Sequence, residues 1–200
     1  VRGGQSDEQL ITDVRAFYGF FYPKNIQPQD VPFAVEPEAA IRLRFRDGCN
    51  TAAKIYMYLA RRAGIKDVRH IGAAVVDDLI RACPSKGVPR RDVNINGHRM
   101  ILAKGWDNKW YLVNETYLPR RKGSTYQIFD RLDGKLLDPA HIVGATIILP
   151  KPRRNMVITV VGQTPEDNFG IWTKEDNLNK NVSGTKASSI CRFVPHLQQM

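Results

Sequence analysis

The sequence predicts an α+β fold in which an amphipathic helix packs on an antiparallel β-sheet. Three observations lead to this prediction. Apolar residues recur at helical spacing over residues 50–63. Short runs rich in β-branched residues follow, beginning with residues 68–76. Two further runs, 97–104 and 109–115, are separated by a short polar connection, which is typical of a β-hairpin.

The composition indicates one folded domain with an appended segment. Of the 200 residues, 42% are hydrophobic and 25% are charged, which is ordinary for a globular protein. The apolar runs end near residue 161, and the chain after it is polar and rich in Asn and Lys. We therefore expect a domain over residues 1–161 and a polar C-terminal extension over residues 162–200. Apolar stretches are far shorter than the roughly 20 residues that span a bilayer, so we expect no transmembrane segment.

The elements follow in chain order from local signals. Ser6 and Gln9 form a capping box for a first helix that ends near Pro23, and four prolines in 23–38 predict an irregular segment. The helix over residues 50–63 is closed by Gly64 as its C-cap.

Residues 68–76 predict a largely buried strand whose end, Asp77-Asp78, is solvated. After the hairpin come a short segment at 126–132, a turn at Asp133-Gly134 and strands at 145–149 and 156–161. These later strands extend the same sheet in the expected architecture.

Cys49 lies at the start of the most clearly predicted helix. A cysteine is a good nucleophile as a thiolate, and the unpaired N–H groups of a helix N-terminus favour that form. The same groups can hold the oxyanion of a tetrahedral intermediate. Cys49 is therefore the candidate nucleophile.

His98 and Asn114 are candidates for the general base and for the group that orients it. They share one face of the hairpin only if the paired positions add up to an even number. A three-residue loop at 106–108 achieves this, because Gly105 then pairs with Lys109. A two-residue turn would place the two side chains on opposite faces.

The ordered set resembles the transglutaminase-like superfamily of papain-like cysteine enzymes. The resemblance covers Gly48-Cys49 at a helix start, the segment 61–65, and the strand 68–75. It continues with His98 opening a strand and with Val113-Asn114-Glu115-Thr116. It implies a papain-like core with Cys49, His98 and Asn114 as a catalytic triad. The family usually has aspartate where this chain has Asn114 and often proline where it has Glu115, whereas papain-like proteases use asparagine as the orienting residue.

The activity implied is thiol-dependent acyl transfer on amide bonds of a protein or peptide. With water as the acceptor, the chain would be a cysteine peptidase, an amidase or a glutamine deamidase. This hydrolytic activity is the favoured prediction. The alternatives are a protein-glutamine transglutaminase with an amine acceptor, and a catalytically inactive basic module that binds an anionic polymer. Gln27 and Gln29 are weak candidates to complete the oxyanion hole.

The net charge of +10 predicts attraction to an anionic surface or polymer. Three Pro-Arg-Arg triads supply candidate contacts: Arg90, Arg91, Arg120, Arg121, Arg153 and Arg154.

No C-x-x-C or H-x-x-x-H pair is present, so we expect neither a metal site nor a cofactor.

Of the three cysteines, only Cys83 and Cys191 are a conceivable disulfide pair. A glycan on the sequon at Asn114 would block a predicted catalytic residue, which argues against a eukaryotic secretory origin. A secreted, periplasmic or translocated bacterial protein is favoured. The sequence leaves the oligomeric state open.

Overall fold

A computed structural model describes residues 36–43, 48–83, 93, 95–114, 127–149, 155–165, 191 and 194. The fold is α+β, as predicted. It contains three helices among the described residues: α1 (Pro37–Leu43), α2 (Gly48–Arg62) and α3 (Val76–Ala82). The predicted first helix and residues 23–35 of the predicted irregular segment lie outside the described residues. The last part of that segment is wrong, because Pro37 and Glu38 begin α1.

Eight strands are described: β1 (Val68–Val75), β2 (Gly97–Lys104), β3 (Trp110–Asn114), β4 (Gln127–Phe129), β5 (Arg131–Leu132), β6 (Lys135–Leu136), β7 (Thr146–Leu149) and β8 (Met156–Thr164). Six of them form one sheet in the order β4-β3-β2-β1-β8-β7, and β5 and β6 form a separate hairpin. The pairs β2–β3, β3–β4 and β7–β8 are antiparallel. The predicted strands after the hairpin therefore join the main sheet at β4, β7 and β8.

The chain divides into two compact units. The first, here the helix unit, comprises the described residues 36–43, 48–70, 99–114, 127–137 and 164–165. The second, here the disulfide unit, comprises the described residues 71–83, 93, 95–98, 138–149, 155–163, 191 and 194. The predicted boundary at residue 161 falls inside β8, and Cys191 and Val194 pack in the core of the disulfide unit.

The core of the helix unit forms around α2. Ala53, Tyr56, Met57 and Ala60 are at most 2% exposed and belong to one apolar cluster. From the sheet the cluster takes Val68, Ile101, Ala103 and Val113, and from α1 it takes Ala40. The predicted helix is confirmed, and of the apolar face that predicted it, Ile55 and Tyr56 belong to this buried cluster.

The end of α2 is closed by a Schellman motif, which confirms the predicted cap. Gly64 has φ +94°, a conformation that glycine adopts without steric cost. The N–H of Gly64 donates to the carbonyl of Arg61 at 3.0 Å, and the N–H of Ile65 donates to that of Ala60 at 3.0 Å. The strand β1 begins at Val68, three residues after Ile65.

The described core of the disulfide unit is held by covalent and ionic contacts as well as by apolar packing. Cys83 and Cys191 form a disulfide over a sequence separation of 108 residues, which confirms the one pairing that the sequence allowed. Around it pack apolar residues of α3 and β8 together with Ile95 and Val194.

The prediction of a solvated strand end at Asp77 and Asp78 is wrong. The strand stops at Val75, and both carboxylates lie in the first turn of α3, where the helix dipole favours negative charge. Asp78 is buried and accepts hydrogen bonds from the backbone N–H of Asn96 at 3.0 Å and from its side-chain amide at 2.7 Å. The guanidinium of Arg81 donates to its other oxygen.

Candidate active site

Cys49 is the second residue of α2, half-buried, and it takes part in no disulfide. N–H groups in the first turn of a helix have no acceptor within the helix and carry the positive end of its dipole. The first turn of α2 contains no acidic residue, so no carboxylate of that turn opposes a thiolate. The predicted position of the nucleophile at the start of a long helix is therefore present.

Cys49 lies on the face of α2 that packs on the sheet. Ala53, Tyr56 and Ala60 follow it by four, seven and eleven residues, which is the spacing of one helical face. These three residues are at most 2% exposed and belong to the core cluster. The thiol is therefore directed toward the sheet at the N-terminal end of the helix.

Arg99 lies on the sheet face that α2 covers. Ile101 and Ala103 of β2 share the core cluster with α2, and strand residues two apart point to the same side. Arg99 precedes Ile101 by two residues and is only 6% exposed. A buried guanidinium thus belongs to the same face of the sheet as the core that carries Cys49.

The directions of the two elements bring Cys49 and Arg99 to the same end of the helix unit. The backbone N–H of Lys104, at the end of β2, donates to the carbonyl of Asp67, just beyond the end of α2, at 2.9 Å. From Cys49 to Ala60 the helix rises about 16.5 Å. From Arg99 to Lys104 the strand extends about 16.5 Å. Cys49 and Arg99 therefore each lie toward the end of their element that is remote from this contact.

Electrostatics agrees with this placement. Burial lowers the pKa of Arg99 to about 10, and the charge of Cys49 opposes that decrease. Arg99 still carries its proton at neutral pH. Because an opposite charge nearby favours the ionised form of a group, the guanidinium favours the thiolate of Cys49.

The register on which the predicted triad depends is confirmed. Ile101 pairs with Val113 and Lys104 with Trp110, so paired positions add up to an even number. The loop is the three-residue one, since the N–H of Gly105 donates to the carbonyl of Lys109 at 2.8 Å. Continued by one residue, this register sets Met100 opposite Asn114.

Comparison with known proteins identifies no relative of this chain. No protein-family model, no curated protein and no solved structure matches this chain.

Asn114, the last residue of β3, is fully buried, and His98, the second residue of β2, is 7% exposed. Asn114 belongs to the sheet face opposite to Ile101 and Val113, because it alternates with Val113 along β3. Cys49, Arg99 and Asn114 belong to the helix unit, whereas His98 belongs to the disulfide unit. The meeting of His98 with Cys49 stays a prediction.

Arg99 is the residue of this site that the sequence did not reveal. A single arginine beside an apolar run is typical of a strand position that faces solvent. Its burial follows only from the pairing of β2 with β3 and from the packing of α2 on the sheet. The signal available in the sequence was the near-continuous apolar run after it, which is typical of a strand covered on both faces.

Other predicted contacts lie outside the described residues: Gln27, Gln29, Arg90, Arg91, Arg120, Arg121, Arg153 and Arg154. Within the described part of the chain, no group of three or more His, Cys, Asp or Glu is placed to hold a metal ion. None of the helices described is long and apolar enough to cross a membrane.

Proposed function

We propose that this chain performs thiol-dependent acyl transfer on amide bonds of a protein or peptide, within a papain-like core of the transglutaminase-like kind. The observation that carries the proposal is the position of Cys49. It combines a helix N-terminus with a buried guanidinium at the same end of the same unit. Both favour a thiolate, which is the reactive form of cysteine.

In the proposed reaction the Cys49 thiolate attacks the carbonyl carbon of the amide. The N–H groups of the first turn of α2 receive the oxyanion that forms. His98 holds the proton that Cys49 gave up and passes it to the leaving amine as the C–N bond breaks, so a thioester on Cys49 remains. Asn114 orients the imidazole, as the resemblance implies.

In the second half of the reaction, His98 removes a proton from water, and the resulting hydroxide attacks the thioester. The products are a carboxylic acid and the Cys49 thiolate, so the enzyme returns to its starting state. We favour water over an amine as the acceptor, because water is present unless a site excludes it. The reaction would make the chain a peptidase, an amidase or a glutamine deamidase.

The proposed triad depends on the side chain that β2 contributes, His98. Strand alternation gives His98 the face of Met100, whereas Arg99 has the face that α2 covers. The meeting of the His98 imidazole with the Cys49 thiol is therefore the step that a variant of His98 tests most directly.

We also propose that the protein functions in an oxidising compartment. A disulfide closes the disulfide unit, and such bonds persist in secreted and periplasmic proteins. We infer a secreted, periplasmic or translocated bacterial protein.

The activity is tested with a glutamine-rich denatured protein as a general substrate, by three readouts in parallel. New amino groups report peptide cleavage, ammonia reports deamidation, and incorporation of a fluorescent primary amine reports transamidation. We expect one of the first two signals in the wild type and none in Cys49→Ser, with circular dichroism as the control that the variant is folded. Amine incorporation as the main signal would assign the transglutaminase alternative. Silence in all three readouts contradicts the proposed activity.

A further inference from the structure

The C-terminal end of α2 carries an excess of positive charge that the proposed reaction does not use. Residues 58–69 and 104–111 contain six Lys or Arg and two Asp, a net charge of +4. We call this surface the basic end, defined by Arg61, Arg62, Lys66, Arg69, Lys104 and Lys109. All six belong to the helix unit, and each is exposed or half-buried.

Backbone contacts bring the two segments of the basic end together. Lys104 donates its N–H to the carbonyl of Asp67 at 2.9 Å, and it pairs with Trp110 across the hairpin. The Schellman turn at Gly64 directs the chain from the last turn of α2 into Lys66 and β1. The charges therefore share one end of the unit, about 20 Å along α2 from Cys49.

Aromatic rings are interleaved with these cations. The guanidinium of Arg62 lies 5.3 Å from the ring centroid of Tyr58, and that of Arg69 lies 5.6 Å from the ring of Trp110. Arg62 also donates to the Tyr58 hydroxyl at 3.0 Å. Both guanidinium groups are thus held in place before a partner arrives, which reduces the entropy that binding costs.

Trp106 adds an exposed ring at the tip of the hairpin. Its side chain is 39% exposed, and the loop beneath it is fixed by Asp107. The carboxylate of Asp107 accepts from the Tyr111 hydroxyl at 2.6 Å and from the backbone N–H of Lys109 at 3.0 Å. A large apolar ring is therefore presented to solvent on a braced turn, with lysines on both sides.

We propose that the basic end binds single-stranded nucleic acid, with phosphates on its lysines and arginines and a base stacked on Trp106. A polymer with charge alone would gain nothing from the exposed indole. Bases in a duplex are stacked on each other, whereas those of a single strand are open to an aromatic side chain. The combination of a positive surface with an exposed ring matches the single-stranded form.

The binding is tested on the full chain by fluorescence anisotropy with a labelled 15-nucleotide oligothymidylate. We expect affinity that falls steeply between 50 and 200 mM salt, as phosphate contacts require. Arg62→Glu/Lys66→Glu should weaken binding at least tenfold. The matched control is Arg131→Glu/Lys135→Glu, which reverses two exposed charges in the β5–β6 hairpin of the same unit and should change affinity less than twofold.

Trp106→Ala separates stacking from charge. It should weaken oligothymidylate binding about fivefold or more and leave binding to heparin, which has no bases, unchanged. Circular dichroism verifies that each variant is folded. The proposal is overturned if oligothymidylate does not bind at 50 mM salt or if both charge reversals act equally. It is also overturned if Trp106→Ala has no effect, and loss of heparin binding with Trp106→Ala would contradict the stacking role.

Discussion

In the disulfide unit both cysteines are bonded to each other and the buried carboxylate of Asp78 accepts hydrogen bonds from Asn96 and Arg81. In the helix unit the cysteine forms no disulfide, and the buried charge coupled to it is the cation Arg99. The first arrangement satisfies each polar group with a fixed partner and stabilises a small core. The second places a buried cation near a cysteine that is not held in a disulfide, an arrangement that we propose serves function rather than stability.

The largest effect is expected from the disulfide. Cys83→Ser/Cys191→Ser removes a covalent link across 108 residues, for which the loop-entropy relation gives a loss of about 4 to 5 kcal/mol. Guanidinium unfolding of the wild type and the variant measures the difference. Cys49→Ser is the control, and we expect its free energy of unfolding to change far less. An equal loss in the free energy of unfolding of both variants would contradict the difference proposed between the two units.

Asp78→Asn should cost about 1 to 3 kcal/mol, because an amide cannot accept every hydrogen bond that converges on the buried carboxylate. Asp77→Asn, one residue earlier and exposed, should change stability by less than about 0.5 kcal/mol. Urea unfolding of the two variants measures this pair. Equal effects would mean that the network around Asp78 contributes nothing beyond a surface charge.

The same carboxylate predicts a dependence on pH. Burial opposes its ionisation, but the hydrogen bonds from Asn96 and the contacts with Arg81 outweigh that and hold the pKa of Asp78 below its usual 3.8. Its folded pKa is depressed, so its contribution to stability is present above pH 3.8 and is lost as the pH falls through the folded value. Asp78→Asn should therefore lose part of the acid sensitivity of the wild type, which acid titration of the unfolding midpoint measures.

A smaller effect is expected at the cap of α2. Gly64→Ala keeps φ near +94° with no atom in contact with the added Cβ, so the cost is the backbone strain alone, about 1 kcal/mol. Gly64→Asn should cost less, because asparagine tolerates this conformation better. Thermal unfolding ranks the three chains. An alanine variant as stable as the wild type contradicts the role of the cap.

The sequence predicted the parts of the fold that have a strong local period. The apolar face and Gly64 predicted α2, and the even register of the hairpin followed from its loop length. It missed α3, because a seven-residue helix has little periodicity of its own and Asp78 is bonded to Asn96, eighteen residues away. Arg99 was missed for a similar reason, since its burial depends on how α2 covers the sheet.

The most direct test of the central claim is the rate at which iodoacetamide alkylates Cys49 between pH 5 and 9, read by peptide mass spectrometry. The chains compared are the wild type, His98→Ala and Arg99→Met. We expect Cys49 to react fast near pH 6 in the wild type. Both variants should move the midpoint of reactivity to higher pH, because each removes a partner that favours the thiolate.

An unchanged midpoint in His98→Ala, together with a shifted one in Arg99→Met, would leave a thiolate without a general base and contradict the triad. A wild-type Cys49 that titrates like an ordinary thiol, with a midpoint at about 8.5, would contradict the catalytic function as a whole.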